Sequence, residues 1–314
     1  MTGGSQIAKT RDPFAKSGLS ERLPHVINNY WMSPETTSVN RLPMLNIEHF
    51  EQISLDGTWR FQLLHSPTEK LGKRWASIPV PGLWTMQEPS EVFFDKPIYT
   101  NTQMPFEEMP PFVPAENPTG VYERDFHVPK SWNGKRIVLQ VGGYESVALV
   151  YINGQEVGLS KDSRLAAEFD VTQFVQSGNN VVRIDVVKWS DATFIEDQDQ
   201  WWHGGITRSI KLYATNKVFI EKFAAIAGLE KDLSTGTLDV RAKISSIDNE
   251  STDGYSLHLA IRELPKVKSA SISALLKNFV PPIWTETPEE VAIASRDYFH
   301  AKFWNGNLPQ SAKT

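Results

Sequence analysis

The stretch from residue 119 to residue 189 constrains the fold most, because short alternating apolar runs there are repeatedly interrupted by turn-forming residues. Val121-Tyr-Glu-Arg-Asp-Phe126 runs into Pro129, and Arg136-Ile-Val-Leu-Gln-Val141 stops at Gly142-Gly143. Ser146-Val-Ala-Leu-Val-Tyr-Ile152 meets Asn153-Gly154, a dipeptide that suits the two-residue β-hairpin turn because both positions tolerate positive φ. Gln155-Glu-Val-Gly158 returns from that turn, Glu168-Phe-Asp-Val-Thr-Gln-Phe174 reads as a short strand or turn, and Asn179-Asn180 opens Val181-Val-Arg-Ile-Asp-Val-Val187. No helical pattern of useful length intervenes. Many short strands separated by turn chemistry predict an all-β fold, an antiparallel sandwich or jelly roll.

The flanking segments extend this reading. Ser54-Leu-Asp-Gly-Thr-Trp-Arg-Phe61 carries an Asp56-Gly57 turn and then alternating Trp59 and Phe61. Ile78-Pro-Val-Pro-Gly-Leu-Trp84 has too many prolines for a central strand and predicts an edge or crossing segment. Residues 86–118 form a long excursion rich in proline and aromatics, whose aromatic content argues for order. Residues 1–50 lack periodicity and read as an extended arm with Asn28-Asn-Tyr-Trp31 and one short helix near Ile47-Glu-His-Phe50. Beyond Val218, Gly236-Thr-Leu-Asp-Val-Arg-Ala-Lys-Ile244 and Tyr255-Ser-Leu-His-Leu-Ala-Ile261 alternate on either side of an Asp253-Gly254 turn. They predict a second, smaller immunoglobulin-like β-sandwich. Such a domain needs about 100 residues and roughly seven strands, so the span available is short for a complete one. The expected organisation is an arm over 1–50, a jelly roll over 51–216, an immunoglobulin-like unit over 217–295 and a divergent tail over 296–314.

Charge and motif content narrow the function. With 37 acidic and 32 basic residues the net charge is -5, which disfavours nucleic acid and anionic membranes as partners. Without cysteine there is no disulfide framework, thiolate zinc site or thiol nucleophile. The first residues contain no apolar signal core, and no run approaches membrane-spanning length, so a cytoplasmic protein is expected. Dinucleotide, P-loop and zincin signatures are missing from the sequence. His203-Gly204-Gly205 superficially resembles an esterase oxyanion loop, but no GxSxG elbow accompanies it.

Residues 190–206 hold the most chemistry. Between two β-type segments lie Glu196, Asp197, Asp199, the adjacent indoles Trp201 and Trp202, and Gly204-Gly205. A sugar needs that mixture, since carboxylates accept from hydroxyls and an indole packs on the C–H face of the ring. The same residues would equally serve as a solvated acidic loop with indoles plugging the end of a sandwich.

Pro97-Ile-Tyr-Thr-Asn101, Glu116-Asn-Pro-Thr-Gly-Val-Tyr122, Lys161-Asp-Ser-Arg164, Glu168-Phe-Asp170 and Glu196-Asp-Gln-Asp-Gln-Trp201 together resemble the amino-terminal region of glycoside hydrolase family 2 β-galactosidases, in order and spacing. The resemblance covers about residues 20–245 and weakens towards Pro282-Ile-Trp-Thr-Glu-Thr-Pro288. It implies a sugar-binding jelly roll, an immunoglobulin-like domain and then a (β/α)₈ barrel. It also implies that Asn117 and Asp199 reach into the galactose site, that Asp199 helps hold a sodium ion, and that magnesium belongs to the barrel. Glu196, Asp197 and Trp201 fall to the loop's support.

Retaining glycosidases work with two carboxyls about 5–5.5 Å apart, and the resemblance places both in the barrel, beyond this chain. The expectation is therefore the front part of a β-galactosidase acting on a β-galactoside such as lactose. It would be inactive alone, completed by a barrel in cis or as a second chain, and homo-oligomeric when complete. A self-standing carbohydrate-binding or subunit-type protein of a split glycosidase is the alternative. A β-glucuronidase or β-mannosidase relative is weaker, because Glu-Asp-Gln-Asp favours galactosidase.

Overall fold

The computed structural model describes residues 29–43, 49–101, 103–231, 233–247, 251 and 254–258, with the backbone of 302–303. Most of the arm, the core of the helix expected near Ile47, and the segments at 282–288 and 304–314 lie outside the described residues. The chain divides into two units, Met1–Glu250 and Ser251–Thr314. Described elements of the second are the short strands Leu257–His258 and Lys302–Phe303, which pair antiparallel.

The first unit is the predicted antiparallel sandwich. Its seven-stranded sheet runs, edge to edge, Ser38–Val39, Gln155–Ser160, Val147–Ile152, Gly178–Val187, Thr119–Val128, Gly57–Leu64 and Ala76–Val80. Facing it is a four-stranded sheet ordered Ala167–Asp170, Arg136–Val141, Ile210–Thr215 and Gln52–Ser54. Side chains alternate, so Val182, Ile184 and Val186 meet Leu139, Val141, Phe169 and Leu212 in one core with Trp59, Phe61 and Tyr122. The proline-rich segment is the edge strand expected of it, where a missing N–H costs no ladder bond. Asn153 and Gly154 both have positive φ, 51° and 76°, as the hairpin turn requires.

At one end the seven-stranded sheet is buried on both faces. Tyr30 and Trp31 of the arm, Val113 of the excursion, and Trp189 and Trp202 pack on Val147, Leu149, Leu159 and Val187. That second cluster gives residues 86–118 and 190–202 a fixed seat. After the sandwich, Val218–Leu229 and Gly236–Ser246 form a long antiparallel hairpin with a bulge between Ile220 and Lys222. Among the described residues, this hairpin is what the predicted immunoglobulin-like unit contributes to the Met1–Glu250 body. No helix among them is long and apolar enough to cross a membrane.

His49 gives the sandwich a pH-sensitive edge. Its ring lies flat on Tyr213, centroids 3.8 Å apart and planes 5° from parallel. Burial, with Arg136 and Lys211 nearby, lowers its pKa from 6.5 to about 4. A depressed folded-state pKa means that the unfolded chain takes up the proton first. Its contribution to stability is full above pH 6.5 and is lost as pH falls towards about 4. Urea midpoints should therefore fall more steeply over that window in the native chain than in His49→Phe. Parallel profiles would remove the assignment.

Candidate functional site

The site grows from the end of the strand Gly178–Val187. Lys188, next in the chain, is fully buried, and its Nζ donates to both oxygens of Asp95 at 2.8 Å. Asp95 also accepts from the Trp84 indole N–H at 2.7 Å, so one ion pair ties the excursion to the sandwich. Burial lowers the Lys188 pKa, while the Asp95 charge acts to raise it. A lysine following a buried β run is the sequence signal that a carboxylate must lie nearby, since lysine is almost never fully buried unpaired. No local motif names Asp95, 93 residues away in the chain, as that carboxylate.

Trp189 follows, and its backbone N–H and C=O bond the Asn117 side-chain oxygen and nitrogen at 2.9 and 2.8 Å. Asn117 is 1% exposed. Its visible role is to fasten the start of the loop, and contact with a ligand would require the covering side chains to part. Ser190 then caps a 3₁₀ turn, Asp191–Phe194, in a reciprocal capping box with Thr193. Asp191 accepts from the buried Lys161 at 2.6 Å, and Lys161 also donates to the Ser33 carbonyl at 2.7 Å. The arm, the 161–164 loop and the 190–206 loop are thereby joined.

The three carboxylates diverge from here. Glu196 turns inward and accepts from the Ser163 N–H at 3.1 Å and its hydroxyl at 2.6 Å. Burial raises its pKa, against the lowering effect of those two bonds. Asp197 and Asp199 face solvent. Asp199 accepts from the Tyr99 hydroxyl at 2.7 Å, and that bond is the main reason the Tyr99 pKa is raised.

Tyr99 reaches Asp199 because Ile98–Thr100 and Gln200–Trp202 form a two-stranded antiparallel ribbon in which Tyr99 lies opposite Trp201. Period-two alternation puts the adjacent indoles on opposite faces. Trp202 is buried and donates to the Thr100 hydroxyl at 2.9 Å. Trp201 is 54% exposed and Tyr99 49%, their rings 5.5 Å apart at 41°. A carboxylate thus stands beside two half-open aromatic faces, held on a paired backbone. The loop closes where His203 meets the Thr85 hydroxyl at 3.0 Å and the Gly204 carbonyl accepts from the Trp84 backbone N–H at 3.0 Å.

The structure therefore pairs Asp199 and Trp201 with Tyr99 on the ribbon, pairs Glu196 separately with Ser163, and commits Asn117 to the backbone of Trp189. Tyr99 and Ser163 lie inside the quoted sequence motifs, yet sequence alone gave neither a partner. Among the described residues, no group of three or more His, Asp or Glu side chains is placed to hold a metal ion.

Residues 52–216 match the family model described as glycosyl hydrolases family 2, sugar binding domain. A β-galactosidase of Psychromonas ingrahamii is 37% identical over 212 residues, 65% of this chain and 20% of that protein. One from Vibrio cholerae is 39% identical over 203 residues, 62% and 19% of the respective chains. One from Kluyveromyces lactis is 41% identical over 192 residues, 57% and 18%. A solved β-glucuronidase from an uncultured Clostridium sp. overlays with a TM-score of 0.49 at 18% identity, covering 69% of this chain and 37% of that one. The chain spans about a fifth of the length of the curated relatives it matches. Since the family model covers more than half of the chain, and covers the sandwich that carries the site, this chain belongs to glycosyl hydrolase family 2 through its sugar binding domain.

Proposed function

We propose that this chain is the amino-terminal part of a β-galactosidase, providing the scaffold and the rim of the sugar site. The enzyme would remove terminal non-reducing β-D-galactose from substrates such as lactose, with a catalytic barrel supplied in cis or by a second chain. The observation that carries this reading is the ribbon that sets the Asp199 carboxylate beside the half-exposed rings of Tyr99 and Trp201. A carboxylate accepts from sugar hydroxyls, and an aromatic face packs on the ring's C–H side. Glu196 holds the loop through Ser163 and is not offered to substrate. Sodium at Asp199 belongs to the same proposal, with its remaining ligands coming from the barrel or the sugar. The reading also puts the complete enzyme in the cytoplasm as a homo-oligomer.

Two measurements test it. The isolated chain should not hydrolyse a chromogenic β-galactoside, because a retaining mechanism requires two carboxyls flanking the scissile bond. Turnover that follows the chain through purification and survives both Glu196→Ala and Asp199→Ala would overturn this. In the complete enzyme, Asp199→Asn removes a charge-assisted hydrogen bond worth about 1.5–3 kcal/mol. kcat/KM should then fall roughly ten- to a hundred-fold, with weaker sodium dependence. An unchanged kcat/KM at every sodium level would reduce the loop to a plug for the sandwich. The alternative, a self-standing carbohydrate-binding subunit, draws on the fact that Tyr99, Trp201 and Asp199 all lie on or beside one ribbon of this chain. Saturable binding of lactose by the isolated chain would favour it.

A further inference from the structure

We propose that the end of the sandwich opposite the Asp199 loop carries a second binding site, one for a small organic carboxylate with an apolar body. The site goes beyond the sugar reading and does not depend on it. All of its residues belong to the Met1–Glu250 unit. The strand Gly178–Val187 measures the separation, since Ser177 lines the cavity just before its start and the candidate functional site grows from its other end. The 10 residues of that strand, at about 3.3 Å each, put the two roughly 30 Å apart.

The cavity holds about 260 Å³, slightly under the roughly 300–1,000 Å³ of drug-sized ligand sites, so its occupant is small. It opens where the core of the sandwich ends. Val128, Trp132 and Ile137, all buried core residues, form its inner wall with Val175, which packs on the same core. Asn133, Lys135, Ser177 and Lys217 form its outer side. The Ile247 N–H bonds the Lys217 carbonyl at 3.0 Å and so fixes the foot of the long hairpin beside the opening.

Two features of the lining select the ligand. The first is charge: the lining contains Lys135 and Lys217 and no carboxylate. Glu51 pairs with Lys135 from outside the lining, and Asp170 pairs with Arg136, the next residue in the chain. An ammonium carries three donors, so Lys135 keeps donors for a second anion beyond Glu51. The second feature is Trp132. Its side chain is 4% exposed, and its indole N–H has no hydrogen-bond partner among the described residues. A buried indole N–H usually finds an acceptor, and a carboxylate is acceptor-only. The apolar body of the ligand then lies against Val128, Val175 and the indole ring. A sugar suits this wall poorly, because hydroxyls buried without partners are costly. The one hydroxyl beside it, on Thr172, is already committed to the Ile137 N–H at 2.9 Å and to Asp170 at 2.5 Å. An inorganic anion would use the lysines and leave the apolar wall bare.

The test titrates benzoate, methyl benzoate and benzylamine into the intact chain by calorimetry. Saturable binding of benzoate is expected, with the neutral ester about ten-fold weaker and benzylamine silent. Lys135→Gln/Lys217→Gln should weaken benzoate about ten-fold and leave the ester as it was. Two exposed lysines outside the cavity serve as controls, Lys70 and, beside Asp95 at the other end, Lys96. Lys70→Gln and Lys96→Gln should leave benzoate binding unchanged. Where the lysine pair does not fold, the ester and amine comparisons on the native chain still decide. No saturable benzoate binding overturns the proposal, and so does equal binding of benzoate and its ester. A loss in Lys70→Gln as large as that in the lysine pair would reduce the effect to general charge attraction and overturn it as well. Weakening by Lys96→Gln alone would place the carboxylate at the Asp199 end, with the same consequence.

Discussion

Gly204→Ala is expected to destabilise the chain by about 3 kcal/mol, at the upper end of overpacking costs, which lowers the melting temperature by about 6–12 °C. A Cβ at position 204 would lie 2.1 Å from Cζ2 and 2.4 Å from Cε2 of Trp84, inside any permissible contact. The indole has nowhere to go. It is fully buried, and on another side it meets Gly120, where an added Cβ would be 2.5 Å from Cζ3. Its N–H is held by Asp95, so a shift of the ring also strains the ion pair with Lys188. Gly154→Ala is the control, because nothing lies within 4 Å of that Cβ and only its φ of +76° is unfavourable. It should cost about 1 kcal/mol. Adding Trp84→Phe to Gly204→Ala should recover part of the loss by opening space. Thermal melts of the three variants decide it, and a Gly204→Ala melt within error of the native chain would show that the pinch on Trp84 carries no energy.

Lys188→Met should cost about 3–5 kcal/mol, the usual penalty for removing one partner of a buried ion pair. Methionine fills much of the same volume, so the cavity left is small. The loss comes from Asp95, a carboxylate nearly out of solvent that would keep the Trp84 N–H but lose its cation. Lys188→Met/Asp95→Asn should regain most of the loss, because a neutral amide can still accept from Trp84 without a buried charge. The pair and Trp84 form one unit, so Gly204→Ala and Lys188→Met should combine with less than additive effect. Denaturant midpoints of the single and double variants give the coupling directly. If Lys188→Met alone matches the native chain, the pair is solvated in solution and does not fasten the excursion to the sandwich. Fastening also has a functional readout, since the Lys188→Met loop should loosen around Trp189 and change its fluorescence even where the chain stays folded.

By itself the sequence determined the sandwich and the chemical content of the loop at one end of it. Alternation over 119–189 specifies strands with one buried face, and Asn153-Gly154 specifies a turn that few other residues can make. Prolines between Ile78 and Trp84 specify an edge. All of these are local consequences of backbone geometry, and so they are legible in a window of a few residues. The acids and indoles of 190–206 were visible in the same way, as composition. What composition did not say is which of three neighbouring carboxylates is presented. That was decided by partners far away in the chain. Ser163 turns Glu196 inward, Tyr99 on the opposite strand of a ribbon holds Asp199 at the rim, and Asp95 draws Lys188 into the core. Asn117 is likewise committed to the backbone of Trp189, a residue that only strand pairing brings beside it. Side-chain direction in a loop depends on such long-range contacts, whose register exists only once the sheets have assembled, and no local pattern encodes them.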